Sequence, residues 1–145
     1  MDFSLLTLST PLETINQAME KSLIGNLGIR ITRIEEGLVE GVMLLSDKNS
    51  RPDGILHGGA NFALAETLAG LGSMLLVDLR RYDVLGTQVS GNHIGVLTNG
   101  KAFAMAKVIH KGNKTHIWNV DIKNQDGRLI STVRVTNMIV KRNER

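Results

Sequence analysis

The chain has 145 residues, 42% of them hydrophobic and two of them proline, which fits one folded domain spanning 1–145 with one sizeable core and excludes a disordered chain. It has no cysteine, which rules out a disulfide scaffold, thiolate metal sites and a cysteine nucleophile, and suits a reducing cytoplasm. A net charge of +3 with a pI near 9.5 is compatible with an anionic ligand, while scattered basic residues and only 3% aromatics argue against nucleic acid.

The N-terminal stretch "MDFSLLTLSTPLE" has no basic region ahead of its apolar residues and makes a poor signal peptide, and no apolar run approaches the roughly 20 residues of a membrane span. Residues 11–23 read as a first helix. Thr10 is placed to cap it, with Pro11 at its first position, Glu13 three residues after the cap, and Leu12, Ile15, Met19 and Leu23 as an apolar stripe. Residues 27–34 and 38–45 alternate like strands around the turn "EEG", and 46–54, "SDKNSRPDG", is loop by composition. A long helix follows from about 57 to 77. Residues 84–96, 101–110, 115–124 and 128–141 read as four more strands, the last three separated by the hairpin signals "KGNK" and "QDG". One long helix among six strands implies an antiparallel sheet wrapped round that helix, an α+β layout. The sheet covers the helix on one side only, so the other face and the sheet edges call for a partner, most economically a second copy of the chain.

Wound at 3.6 residues per turn, the long helix puts Ala60, Leu64, Leu68, Leu71 and Leu75 on one face. Gly59, Ala63, Glu66, Gly70 and Ser73 lie on another, where Glu66 is the one large group among small residues. Partial desolvation there would raise the carboxyl's pKa toward values useful in acid–base work; the competing reading is a surface or interface carboxylate held by an arginine. The helix begins at "HGG". Backbone N–H groups are free at such a terminus, and Gly58 and Gly59 have no side chains to block them, so an amide there can donate to a substrate carbonyl; alternatively the glycines serve a tight turn. Gly58 and Glu66 are roughly 12 Å apart along one helix, too far to touch one reacting carbon. Either they serve different sites, or two chains combine.

The stretch "PDGILHGGANFALAETLAG" resembles the signature of hotdog-fold thioesterases of the PaaI and 4-hydroxybenzoyl-CoA thioesterase type, in which P-x-G-x-x-H-G-G precedes a helix bearing Asp or Glu. "VSGNHIG" is similar to that group's Asn-His strand motif, and "HKGNKTHIWNVDIKNQDGRLISTVRVT" to its final hairpins. The resemblance spans about 25 to 140. It implies the hotdog fold, a six-stranded antiparallel sheet wrapped around a long central helix, assembled as homodimers and often tetramers, with thioester hydrolysis at the dimer interface. It implies Glu66 as catalytic carboxylate, nucleophile or general base, the Gly58 N–H as the group polarising the thioester carbonyl from the other subunit, and His57 as a positioning group. Asn92 and His93 match a strand pair near the acyl pocket, and Gly59, in the H-G-G motif, is a further substrate-binding candidate. Two positions depart from the pattern: Arg51 stands where Gln is usual, and Gly70 where Ser or Thr is usual. A cationic Arg51 would favour an acidic acyl group or pair with Glu66.

His110, Lys111, Gly112 and Lys114, with Lys107, Arg80 and Arg81, are candidates to meet the phosphates of coenzyme A, against the alternative of solvated hairpin charges. Trp118 reads as a packing residue. No H-x-x-x-H pair suggests a metal, no G-x-S-x-G a serine hydrolase, and no dinucleotide loop is present. The expectation is a cytoplasmic acyl-CoA thioesterase acting on an aromatic or small acyl thioester of CoA or a carrier protein. It would use water and no metal or redox cofactor. The alternatives are a hydratase on the same fold and a non-catalytic acyl-CoA-binding sensor or interaction module.

Overall fold

The computed structural model describes residues 1–144. A 3-10 turn, Phe3–Leu5, leads into two short helices, α1 (Leu12–Met19) and α2 (Leu23–Asn26). Strands β1 (Ile29–Glu35) and β2 (Leu38–Leu44) follow, then the long helix α3 (Gly58–Met74). Strands β3 (Tyr82–His93), β4 (Lys101–Lys111), β5 (Thr115–Lys123) and β6 (Leu129–Lys141) complete the fold. All six strands form one antiparallel sheet in the order β1-β2-β4-β5-β6-β3, which curls round α3. This is the wrapped-sheet layout expected from the strand pattern. No helix among the described residues is long and apolar enough to cross a membrane.

The first helix differs from its sequence reading. The Thr10 hydroxyl turns back to accept the Thr7 N–H at 3.0 Å, and Pro11 stands at the N-cap with no side-chain cap. The helix stops at Met19, and Ser22 starts α2 by accepting the Ile24 N–H at 3.2 Å. The polar Asn16 on α1 is buried and acts as a false strand. Its amide donates to the Ile31 carbonyl at 3.0 Å and accepts the Ile31 N–H at 2.8 Å, beside a bulge in β1. That contact covers the outer edge of β1, a standard way to blunt an edge strand. At the opposite edge, β3 is paired on its β6 side only. It carries one carboxylate, Asp83, and exposes Leu85.

The core stripe of α3 is as expected through Ala60, Leu64, Leu68 and Leu71; the helix ends before Leu75, which is its C-cap and only partly buried. Burying side chains such as Leu64 and Leu68 is worth about 1.5–3 kcal/mol each. Two glycines let the helix sit this close. A Cβ on Gly41 of β2 would stand 2.7 Å from the Leu68 side chain, and one on Gly72 would overlap the Trp118 ring. Ser73, expected on the open face, is fully buried instead. Its hydroxyl oxygen accepts from Trp118 Nε1 at 2.8 Å and from Asn137 Nδ2 at 3.0 Å, and Asn137 also donates to the Ala69 carbonyl at 3.1 Å. These bonds from β5 and β6 anchor the second half of α3, and satisfied polar groups inside a core fix one packing over others.

Candidate active site

The loop 46–54 is organised by Asn49, a residue whose composition-level signal was only "loop". It is buried, its amide donates to the carbonyls of Leu27 (3.0 Å) and Leu44 (2.8 Å), and it accepts the Ser46 N–H at 2.9 Å. Its own carbonyl accepts the His57 N–H at 2.9 Å, which delivers the chain to the start of α3. His57 is the N-cap. Its Nδ1 accepts the Gly59 N–H at 2.8 Å, so the Gly59 amide is committed within the chain and the ring's hydrogen sits on the exposed Nε2. Among the described residues the Gly58 N–H has no acceptor, which leaves it the open donor of the "HGG" start.

Gly58 is also a contact point. A Cβ there would lie 2.6 Å from His93 Nε2. The His93 ring stacks at 4.9 Å from Phe62, and its Nδ1 meets the buried Ser131 hydroxyl at 3.0 Å. Ser131 donates in turn to the Asn92 carbonyl at 3.3 Å. Ser131 has no signature in the sequence, since a serine inside a strand carries no local signal of its partner. Asn92 and His93, read as one motif, are separated by the pleat: His93 faces α3, while the Asn92 side chain lies with Asn119 and Thr132 in a cleft on the opposite face.

Glu66 lies on the same uninterrupted helix as Gly58, roughly 12 Å along its axis. It is exposed, and the desolvation expected for it is not seen in this chain. Its Oε1 faces β3 where that strand is bulged: a Cβ on Gly86 would stand 3.4 Å from it. Arg51 does not pair with it. The Arg51 guanidinium bonds Asp53 at 2.5 Å, within the loop before α3. Nor does a neighbouring hydroxyl replace the one missing at Gly70, for Thr67 donates back to the Ala63 carbonyl at 2.7 Å and Ser73 is in the core. Two clefts flank the carboxylate. One, of about 410 Å³, lies between α1, α2 and the later part of α3; the other, of about 280 Å³, lies toward Leu27 and Ile29.

The basic hairpin falls at Glu66's end of the sheet. Lys111, His116, Asn137 and Gly86 are in register across β4, β5, β6 and β3, so the turn carrying His110, Lys111, Gly112 and Lys114 is three strand spacings, roughly 14 Å, from the strand under Glu66. His110, Lys111 and Lys114 are exposed. Beneath them His116 is buried, with Nδ1 unpartnered. Burial first, then the charges of Lys111 and His110, hold its imidazole below the usual histidine range, against a hydrogen bond with the Gly112 backbone. The candidates therefore form two groups: Glu66 with the basic hairpin at one end, and His57, Gly58 and His93 with the Arg51 loop at the start of α3.

Comparison with known proteins bears on what these groups are for. Residues 53–131 match the thioesterase superfamily. The chain is 31% identical to the proofreading thioesterase EntH of Klebsiella pneumoniae, over 89% of this chain and 93% of that one. It is 30% identical to the 1,4-dihydroxy-2-naphthoyl-CoA hydrolase of Escherichia coli, over 89% and 94%. The crystal structure of a variant of thioesterase PA1618 from Pseudomonas aeruginosa superposes with a TM-score of 0.88 at 33% identity, covering 92% of this chain and 96% of that one. Sequence and fold agree: this chain belongs to the thioesterase superfamily of hotdog-fold thioester hydrolases.

Proposed function

We propose that the protein hydrolyses an acyl-CoA thioester to the free acid and coenzyme A, with Glu66 as the catalytic carboxylate and a site completed by a second copy of the chain. The observation that carries this reading is the split of the candidate groups along α3. The open donor Gly58 N–H and the carboxylate of Glu66 stand at different ends of one rigid helix, so only groups from two chains can meet at one carbonyl. The unpaired β3 edge offers the route: two such strands pairing antiparallel would extend the sheet across a two-fold axis and bring Glu66 of one chain toward α3's start in the other.

In such a site the Gly58 N–H polarises the thioester carbonyl and stabilises the oxyanion as the carbonyl carbon is attacked. Glu66 of the facing chain either attacks that carbon itself, giving an anhydride that water then opens, or takes a proton from the attacking water. Both routes break the carbon–sulfur bond, consume one water and release an acid and a thiol. His57, whose Nδ1 accepts the Gly59 N–H and leaves Nε2–H as a donor, would orient the carbonyl or the water, and His93 and Gly59 would shape that end of the helix. His110, Lys111 and Lys114 would meet the nucleotide phosphates, with Gly112 allowing close approach. No metal or redox cofactor is needed for these steps. That the Escherichia coli relative is a CoA-ester hydrolase supports CoA as the thiol.

Release of free thiol from a panel of aryl- and alkyl-CoA thioesters, wild type against Glu66→Ala, tests this. A fall in turnover on the order of a hundredfold or more is expected; equal rates would refute the role of Glu66. One observation favours a second reading, an acyl-CoA-binding module without turnover: among the described residues no free hydroxyl stands beside Glu66 to place a water. Tight CoA binding with no thiol release on any ester would decide for it.

A further inference from the structure

Glu66 stands on the wall of the larger cleft, whose volume of about 410 Å³ falls within the roughly 300–1,000 Å³ of small-ligand sites. Phe3, Met19, Ile24, Leu71 and Met74 supply apolar lining, and among the described residues Glu66 is the single ionisable group on it. A hydrocarbon group filling this cavity gains about 25 cal/mol for each Å² of apolar surface removed from water. An acidic group would gain nothing, since among the described residues no cation lines the cavity and the carboxylate repels it. Arg51, the cation expected to favour an acidic acyl group, does not line this cavity and pairs with Asp53.

The cavity also has a direction. Gly70 lies one turn beyond Glu66 and Met74 another turn on, so the carboxylate and Met74 are roughly 12 Å apart along the helix. Gly70 keeps the passage between them open: a Cβ built there meets nothing within 4 Å. Met19 and Met74 are unbranched and adapt to a flexible guest.

Resting on the thioesterase reading above, we infer that this cavity binds the acyl group of the substrate. It selects an uncharged, apolar acyl chain of medium length running from Glu66 toward Met74, and the missing side chain at Gly70 sets how much chain is accepted. The reacting carbonyl then stays at Glu66 while the hydrocarbon lies along α3.

The test compares wild type, Gly70→Leu and Ala63→Leu on acetyl-, hexanoyl-, decanoyl- and glutaryl-CoA. Leucine is a better helix former than glycine, so the first variant should fold, and circular dichroism checks this. Wild type should prefer decanoyl over acetyl and glutaryl esters. The decanoyl-to-acetyl ratio of kcat/KM should fall about tenfold or more in Gly70→Leu, since even one methylene in an apolar pocket is worth on the order of tenfold. It should hold in Ala63→Leu, whose side chain enters the smaller cleft. A ratio unchanged by Gly70→Leu, a ratio that falls instead in Ala63→Leu, or a preference for the glutaryl ester overturns the assignment. Calorimetry with the thioether S-decyl-CoA needs no turnover. About tenfold weaker binding to Gly70→Leu is expected, and equal binding overturns the cavity assignment. Absence of thiol release from every ester, with that binding difference intact, refutes hydrolysis while leaving the cavity as the acyl site.

Discussion

Gly72→Ala puts the seating of α3 to a quantitative test. A Cβ at this position would overlap Trp118 Cη2 and stand 2.7 and 2.9 Å from two further ring carbons. The ring cannot easily retreat. Trp118 is fully buried, and its Nε1 is bonded to Ser73, the next residue on the helix. Overpacking of this kind costs about 1–3 kcal/mol, while replacing a mid-helix glycine by alanine returns up to about 1 kcal/mol. The net expectation is a loss of about 1–2 kcal/mol, a fall in Tm of roughly 2–8 °C for a chain of this size. Gly70→Ala is the internal control, because it makes the same change of propensity two residues earlier with nothing within 4 Å of the new Cβ. It should raise Tm. Thermal melts of both variants, with Trp118→Phe combined with Gly72→Ala to measure the coupling, decide the matter. Equal stabilisation by both alanines would refute the reasoning, because helix propensity alone would then account for them. Since Glu66 stands less than two turns from Gly72, a displaced helix should also lower activity in the Gly72 variant.

The buried His116 predicts a pH effect on stability. Its folded-state pKa is lowered, so the unfolded chain binds a proton more readily, and stability present above the unfolded value near 6.5 should be lost as pH falls below it. Urea midpoints at several pH values should show a steeper acid loss in wild type than in His116→Gln; parallel curves would remove His116 as the cause. If the site is shared between chains, Glu66→Ala and His57→Ala proteins, each inactive alone, should regain thiol release when unfolded and refolded together, because mixed dimers restore one intact site. If two chains pair through the open β3 edge, Leu85→Lys should yield a smaller species in size-exclusion chromatography, since a charged edge resists strand pairing; an unchanged elution volume would refute pairing through β3.

Much of the fold was legible because its signals are local. Alternation marked the strands to within a few residues, and the "HGG" start with its 3.6-residue stripe marked α3. The reading failed where a distant group intervenes. Thr10 abandons its cap for the Thr7 backbone, and Ser73 leaves the open face because Trp118 and Asn137 reach it from β5 and β6. Asn16 looked like an ordinary polar helix residue, yet it completes the edge of β1.

For the candidate site the division is similar. Sequence alone determined which groups are available: a carboxylate on a small-residue helix face, a glycine start to that helix, and a basic hairpin. It also determined that Gly58 and Glu66 lie too far apart to share an atom, because helix rise is a local constant. Tertiary structure alone decided what they stand beside. Strand order put the hairpin at Glu66's end of the sheet, the pleat sent Asn92 and His93 to opposite faces, and α1 and α2 line, with α3, the cavity next to Glu66. Periodicity says which way a side chain points, but its neighbour across space depends on which strands pair and in what register. That is set by the fold as a whole.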